Sequence, residues 1–293
     1  MEDNMLLITL FCYVSDKFTI DLSDLTRRFS NNHKPVFTDS ELVATFLFGV
    51  LKKIRDIKDI HGFICTYYGE WFPNIPTYEK YVYRLSRVCS AFPYLCEHII
   101  NDFSKRDLVD SIQMIDSMPI IMANQKRSSK AKVASHFANK GCCSSKGIYY
   151  YGVKLHVIAT KRDATLPLPE YLLLTPASDH DLTVLERIAP NLLGKHLYAD
   201  KAYLKDSLLT ALAENNSKLL TPVKKEKGQE YLDLFQQLFS TSVSKVRQPI
   251  ESLFNWLDEK TGIQKASKIR SFNGLLIHVY GRLTAALFLM VFN

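Results

Sequence analysis

The segment IQMIDSMPI, residues 112–120, places a run of apolar side chains directly before the carboxylate of Asp116. A second segment, HLYADKAY at residues 196–203, repeats this order, with apolar residues followed by Asp200. Short apolar runs of this kind predict buried strands, and side chains at strand ends of a sheet with crossovers face the crevice where ligands collect. We therefore expect two strands that each end in a functional carboxylate.

The sequence around these two segments alternates predicted strands with predicted helices. Residues 148–160, IYYYGVKLHVIAT, are rich in β-branched and aromatic side chains, which predicts a long strand. This order predicts an α/β (α+β) domain with a mixed sheet flanked by helices. Shorter strands are predicted at 171–174, 196–199 and 219–221, and helices at 179–188, from about 203, at 250–260 and at 272–292.

The first hundred or so residues have a helical pattern instead. Thr38-Asp39-Ser40-Glu41 fits a capping box ahead of an apolar run with helical spacing. Pro73 and Pro76 interrupt the chain before a helix that is predicted from Thr77. A last helix is predicted at about 92–103, so the N-terminal region should be a bundle of helices.

These patterns predict two domains. An N-terminal helical domain is expected at 1–107 and a second, mixed α/β domain at 108–293. Within the second domain, residues 121–147 are expected to form a basic loop, of which the dense part NQKRSSKAK at 124–132 is expected to be mobile. The polar residues at about 222–245 are expected to be an insertion.

Composition narrows the class of protein. With 47% hydrophobic and 23% charged residues, the chain is globular and not disordered. Its six cysteines form no CxxC pair, so we expect reduced thiols in a cytoplasmic protein. The apolar C-terminal stretch is interrupted by His278 and Arg282, so we expect a core helix and no membrane segment.

A third acid completes the candidate site. Glu251 lies in the first turn of a predicted amphipathic helix, after Asp116 and Asp200 in the chain. Three carboxylates that lie close together repel one another unless cations neutralise them, and Mg²⁺ prefers such hard oxygen ligands. The same acids also fit a plainer interpretation, because Asp after a strand is often a turn former or a helix N-cap, and Glu in a first turn often pairs with the helix dipole.

A long basic stretch lies next to the first acid. From Ile121 to Arg162 there is no Asp or Glu, and this distribution favours contact with a polyanion such as DNA. A solvated basic loop is the alternative. Lys201 follows Asp200 directly and is a candidate phosphate contact. The other candidates for DNA contact are Arg127, Lys130, Lys132, Lys146, Lys154 and Arg247, while His156 is expected to be structural more often than functional.

The ordered set of motifs resembles a known family. The segments IDSMPI, YYYGVKLHVI, YADKAY and R-x-x-x-E-x-x-F-x-x-L are similar to those of DDE-type transposases from bacterial insertion sequences. The resemblance covers roughly residues 108 to 293. The segment FPNIPTYEKYVYRL is similar to the helical region that precedes the catalytic domain in some of these enzymes.

This resemblance implies an RNase H-like fold with a mixed five-stranded sheet and a metal triad of Asp116, Asp200 and Glu251. It further implies two Mg²⁺ ions, for which Mn²⁺ can substitute. The activity implied is cleavage at the element's ends, followed by transfer of the freed 3′-hydroxyl into target DNA. The implied partners are the terminal inverted repeats, target DNA and a second copy of the chain in a homodimer.

The sequence departs from one branch of that family, which carries a Tyr-Arg-Glu-Lys signature. Arg247 and Glu251 keep the Arg-to-Glu spacing, but Ser244 occupies the Tyr position and Asp258 the Lys position, with Lys260 nearby. The branch to which the chain belongs is therefore left open, and the three acids are unaffected.

Three alternative functions remain at this point. The first is an RNase H-like nuclease or resolvase that cuts DNA without joining it. The second is a DNA-binding transposase relic that has lost activity, against which the intact acid triad argues. The third, a glycosidase with paired carboxylates, would leave the acid-free basic stretch unexplained.

Overall fold

The structure is a computed structural model that describes residues 2–26, 35–104, 110–143 and 147–292. It divides into two compact units, of which unit 1 comprises Met1–Arg106 with Leu257–Asn293, and unit 2 comprises Asp107–Trp256. The predicted domain boundary at 107/108 lies outside the described residues. The structure groups residues 257–293 with the N-terminal helices, whereas the sequence-based division assigned them to the second domain.

Unit 1 is built from helices, as the sequence predicts. Thr38 begins the third helix with the predicted capping box, since its side chain accepts a hydrogen bond from the Glu41 backbone N–H and the Glu41 side chain accepts one from the Thr38 backbone. Short π-helical stretches follow the first helix at Phe18–Leu22 and precede the last at Ile277–Gly281. The α-helices are α1 (Asp3–Lys17), α2 (Ser23–Leu25), α3 (Asp39–Leu51), α4 (Ile57–Tyr68), α5 (Tyr78–Arg87), α6 (Ala91–Ser104), α12 (Phe272–Leu276) and α13 (Arg282–Phe292).

The C-terminal helix is the most apolar element of unit 1. By length and composition Phe272–Phe292 could cross a membrane, but 61% of its apolar window is buried inside the protein. Leu283, Leu287 and Phe288 in α13 have no exposed surface. This burial is typical of a core helix, which is the predicted interpretation. The six cysteines of the chain are free thiols, also as predicted.

Unit 2 contains a mixed sheet flanked by helices. Its strand order is β2-β3-β1-β5-β6, and β4 pairs with β3 off this path. β1 pairs with β3 antiparallel and with β5 parallel, and β5 pairs with β6 parallel. The strands are β1 (Ile112–Asn124), β2 (Asn139–Cys143), β3 (Ile148–Thr160), β4 (Leu168–Pro176), β5 (His196–Tyr198) and β6 (Lys218–Leu220).

The sheet has six strands, so the expectation of five strands was wrong. The additional strand is β2, which lies inside the predicted basic loop at 121–147 and pairs along Tyr149 and its neighbours in β3. The sequence of β2, NKGCC, has no alternation of apolar and polar residues, so the strand is recognised only by its backbone pairing with β3. Gly141 is required there, because a Cβ atom at this position would lie 2.3 Å from the carbonyl oxygen of Ala177.

The expectation that β1 ends at Asp116 was also wrong. Parallel pairing with β5 stops at Met114, but antiparallel pairing with β3 continues and carries β1 to Asn124. Pro119 lies in this continuation, where β3 is the only partner of β1 among the described residues. A proline is compatible with a strand that has one unpaired edge. Asp116 therefore lies where β1 loses one neighbour, and not where the strand ends.

Helices pack on the sheet of unit 2. Ile115 and Ile158 of the sheet join a buried cluster with Leu185 and Leu208. The predicted insertion at 222–245 has no regular structure until Asp233, which caps a long helix with Gln236. The helix predicted at 179–188 begins two residues later, as α8 (Asp181–Ile188), and the side chain of His180 before it makes no capping bond. The helices are α7 (Gln125–Ser128), α8 (Asp181–Ile188), α9 (Asp206–Glu214), α10 (Leu234–Arg247) and α11 (Pro249–Thr261), with 3₁₀ turns at Ala189–Asn191 and Lys201–Tyr203.

Candidate active site

Asp116 and Asp200 each follow the same end of the segment over which β1 and β5 pair in parallel. The last paired residues of β1 and β5 are Met114 and Tyr198. Each aspartate lies two residues beyond its strand's last paired residue, so the same register, if continued, would set Asp116 opposite Asp200. Neighbouring strands lie about 4.8 Å apart. The β1–β5 pairing therefore ends two residues before each of the two aspartates.

Both aspartates are oriented by the same local contact. The Oδ1 atom of Asp116 accepts a hydrogen bond of 2.8 Å from the backbone N–H of Ser117. The Oδ1 atom of Asp200 accepts one of 2.7 Å from the backbone N–H of Lys201, and Asp200 caps the 3₁₀ turn that follows. The plainer interpretation of Asp200 as a cap is thus present in the structure, and it leaves the Oδ2 atom of each carboxylate available for other contacts.

Arg247 links the first acid to the third. Its Nη1 atom donates to Oδ2 of Asp116 at 2.8 Å, and its Nη2 atom donates to Oε1 of Glu251 at 2.7 Å. Arg247 is the last residue of α10 and Glu251 lies in the first turn of α11, so a four-residue spacing brings the two side chains together. One guanidinium therefore holds two carboxylates that lie 135 positions apart in the sequence.

The electrostatics of Asp116 differ from those of an ordinary surface acid. Burial raises the pKa of its carboxyl to about 6, while the Ser117 N–H bond and the Arg247 charge lower it and the nearby acids Asp181 and Glu251 raise it further. Desolvation and like charges both disfavour the ionised form of an acid. Arg247 is the cation that lowers this pKa, so its guanidinium is the main positive charge that a metal ion at Asp116 would meet.

The donor set of the three acids fits a divalent metal of the magnesium type. All the side-chain donors are carboxylate oxygens, which are the ligands that Mg²⁺ and Mn²⁺ prefer. Two of the acids already converge on one cationic group, the guanidinium of Arg247. Across the described residues, no three His, Cys, Asp or Glu side chains lie close enough together to form a ready-made metal site.

Asp181 is a further acid beside the site that the sequence interpretation missed. Its Oδ1 atom accepts hydrogen bonds from Ser117 Oγ and Lys154 Nζ, both at 3.1 Å. The Lys154 ammonium also donates to the Asp179 carbonyl at 2.8 Å. Asp181 starts α8, where an acid is expected as a partner of the helix dipole, so the sequence offers no signal that sets it apart.

Two buried polar groups lie next to this cluster. His156 is 2% exposed, its Nε2 atom lies 2.9 Å from Thr175 Oγ1, and its Nδ1 atom has no hydrogen-bond partner. Burial lowers the pKa of His156 to about 4, so the ring is neutral near pH 7. The buried Tyr203 hydroxyl also lacks a partner, and burial raises its pKa well above the usual value. The contacts of His156 agree with the structural role that the sequence favoured.

The candidate DNA contacts fall into three groups. Arg127, Lys130, Lys132 and Lys201 are exposed to solvent. The ammonium of Lys154 and the guanidinium of Arg247 are instead engaged with Asp181 and with the acid pair, respectively. Lys146 lies outside the described residues.

Comparison with known proteins identifies the family. Residues 106–271 match the family model of the transposase DDE domain, and this match covers more than half of the 293 residues. No curated protein and no solved structure matches the chain. The mixed six-stranded sheet flanked by helices is consistent with the RNase H-like fold of such a domain. The chain therefore belongs to the DDE-domain transposases, the family that the ordered acids and their surrounding segments resemble.

Proposed function

We propose that this chain is the transposase of a bacterial insertion sequence, which cleaves DNA at the element's ends and joins the freed 3′-hydroxyls to target DNA. The observation that supports the proposal is that Asp116 and Asp200 each lie two residues beyond the last β1–β5 pair, with Glu251 joined to Asp116 through Arg247. Cleavage and joining are both displacements at phosphorus, so one site can serve both.

Asp116, Asp200 and Glu251 would hold two Mg²⁺ ions, for which Mn²⁺ would substitute. When bound, such a metal pair stabilises the attacking and leaving oxygens of an in-line phosphoryl displacement. The chain's own contribution is to fix the acids. The backbone N–H groups of Ser117 and Lys201 orient the two aspartates, and α11 presents Glu251 at its first turn.

The candidate cations on the chain from 121 to 201 would bind the DNA phosphates. Lys201 stands directly beside Asp200, and Arg127, Lys130, Lys132 and Lys146 belong to the stretch that contains no acid. Each phosphate neutralised by a lysine or arginine releases counterions, which favours binding at low salt. We propose the terminal inverted repeats and target DNA as the partners, a homodimer as the reacting assembly, and the cytoplasm as the location.

The domain division also belongs to this proposal. A helical domain at 1–107 would recognise the element's ends, and residues 108–293 would carry catalysis, with the segment at about 222–245 as an insertion. Cutting without joining would indicate the nuclease or resolvase alternative. Specific binding without cutting would indicate the inactive relic.

The decisive experiment compares cleavage by wild-type protein with that by Asp116→Ala, Asp200→Ala and Glu251→Ala. The substrate is a labelled duplex from the terminus of the element that encodes the chain, incubated with Mg²⁺ or Mn²⁺. We expect each variant to lose at least about 10³-fold in cleavage, because each removes a ligand of the metal pair. DNA binding in EDTA should stay intact.

Asp163→Ala is the matched control, because this acid lies in the same unit, is 91% exposed and pairs only with Lys161 among the described residues. It should cleave like the wild type. Cleavage that survives all three triad substitutions would reject the assignment of the acids. The joining step is scored separately, by transfer of the labelled end into a circular target plasmid.

A further inference from the structure

A groove on unit 1 has no part in the site described above. It measures about 550 Å³ and lies between α5 and two short proline-containing segments, 35–37 and 74–76. Lys80, Tyr83, Arg84 and Arg87 of α5 line one wall. The groove therefore combines cationic, aromatic and apolar surface within one helical unit.

The spacing of these four residues explains why they share one wall. Positions 80, 83, 84 and 87 recur every three or four residues, so their side chains form one stripe along α5. The opposite face of α5 is anchored in the core by Tyr81 and Leu85, which have no exposed surface. The stripe is thus presented by a helix whose rotation is fixed by packing.

The cations of the stripe differ in their partners. The Arg84 guanidinium donates to Asp39 at 2.5 Å and lies 5.6 Å from the centre of the Phe37 ring, so its charge is already compensated. Lys80 and Arg87 are exposed, and neither forms an ion pair with any described residue. The groove therefore carries two uncompensated positive charges.

Tyr83 stands between these two charges and is 65% exposed. An exposed aromatic ring flanked by cations is typical of surfaces that pack against sugars or bases while binding phosphates. Lys80 and Arg87 are separated by two turns, or about 10 Å along the helix axis. That distance corresponds to about three base-pair steps of 3.4 Å along one DNA strand.

We propose that this groove binds the sugar–phosphate backbone of duplex DNA, with Lys80 and Arg87 on phosphates and Tyr83 packed against the sugar between them. An acidic protein partner is less well matched, because the stripe offers only two uncompensated charges beside an apolar wall. The inference rests on the proposed function for the source of the DNA and assigns the contact to named residues of unit 1. It does not depend on the metal site.

The test measures DNA binding in EDTA, so cleavage cannot contribute. Fluorescence anisotropy of a labelled 30-base-pair duplex from the element's terminus is recorded from low to high salt for wild type and for Lys80→Ala/Arg87→Ala. Each lost phosphate contact lowers the slope of log affinity against log salt by about 0.9. We expect the double variant to lower it by about 1.8, which corresponds to about 60-fold weaker binding at 0.1 M salt.

Lys58→Ala/Lys265→Ala is the matched control, because both lysines are exposed in unit 1 and lie outside the groove. This double substitution removes the same net charge as Lys80→Ala/Arg87→Ala. The control should keep most of the wild-type salt slope. Equal losses in both double variants would overturn the proposal, as would an unchanged slope in Lys80→Ala/Arg87→Ala. A variant that alters self-association while keeping DNA affinity would also overturn it.

Tyr83 provides an independent check. Tyr83→Ala should weaken binding about tenfold with no change in salt slope, and Tyr83→Phe should retain affinity, since the proposed contact uses the ring. Thermal melting of each variant verifies folding. If groove variants bind DNA normally while the wild type still cleaves through the acid triad, the groove assignment fails and the proposed function stands. If the triad variants still cleave while the groove variants lose DNA affinity, the proposed function fails and the groove assignment stands.

Discussion

The charged groups on the two faces of β1 beside the candidate active site have different kinds of partners. On one face, Asp116 meets Arg247 and Glu251, and the Glu251 side chain is 54% exposed. On the other face, Ser117 meets Asp181, whose partner Lys154 is only 16% exposed. Adjacent residues of a strand point to opposite faces, so positions 116 and 117 separate the two networks.

This difference indicates a division of roles. The Asp116 face has a single cation between two acids, and the exposed Glu251 side chain is free to exchange its contact with Arg247 for another partner. On the Asp181 face, hydrogen bonds link Asp181 to Ser117 and to Lys154, and Lys154 to the Asp179 carbonyl, so these groups form a closed network. A closed network resists rearrangement and fixes the strand that carries Asp116.

The largest stability effect is expected from Asp181→Ala. The substitution leaves the half-buried Lys154 ammonium without its carboxylate, and loss of one partner of an enclosed ion pair costs about 3–4 kcal/mol. Urea unfolding at pH 7 in EDTA measures this loss. The double variant Lys154→Met/Asp181→Leu should regain most of the stability. A loss below about 1 kcal/mol for Asp181→Ala would contradict the closed-network interpretation.

On the other face, Asp116→Asn should raise the free energy of unfolding, whereas Asp181→Ala should lower it. Burial raises the pKa of Asp116 to about 6 from a usual value of 3.8, so the folded state binds its proton more tightly than the unfolded state does. Ionisation of Asp116 therefore lowers the free energy of unfolding of the wild type. This loss is absent below pH 3.8, grows as the pH rises, and is complete above pH 6. We expect the amide variant to be more stable by about 3 kcal/mol at pH 7.5.

Unfolding in EDTA at several pH values tests this expectation. The advantage of Asp116→Asn over wild type should disappear as the pH falls below about 4, where both side chains are neutral. Added Mg²⁺ should stabilise the wild type and not the variant. A constant difference at all pH values would show that desolvation of the charged carboxylate is not its origin.

The smallest effects come from removing neutral or exposed groups on the two faces. Ser117→Ala deletes one hydrogen bond to Asp181 and should cost about 1 kcal/mol. Glu251→Gln weakens an exposed pair with Arg247 and should cost about 0.5 kcal/mol or less, with the loss vanishing in high salt. Parallel urea titrations distinguish the two, and a larger loss at Glu251 would reverse the comparison.

Strong local patterns predicted the fold best. The alternating residues of β3 predicted 148–160, and the strand has these bounds, because β-branched and aromatic side chains match a pleated, buried surface. The Thr38 capping box likewise specified the start of α3. β2 could not be predicted, because its pairing depends on β3 and not on its own five residues.

For the candidate acids, the sequence named the residues, and the structure adds their arrangement. Asp116 and Asp200 each follow an apolar run, which is a local signal, whereas the equal offset from the last β1–β5 pair emerges only from the sheet. From the sequence, Arg247 was a candidate for contact with DNA. The structure adds Asp116 as a partner, a contact across 131 positions that no spacing rule encodes.

The two-segment composition of unit 1 has a consequence for the order of synthesis. Residues 1–106 leave the ribosome first, but the unit also needs 257–293, whose helix α13 packs on α3 and α6. At about 5–20 residues per second, roughly 10–30 s separate these segments. Unit 2 is then complete before unit 1 can close. The nascent helical unit should therefore expose apolar surface for that interval, and its maturation should depend on chaperones or fast translation.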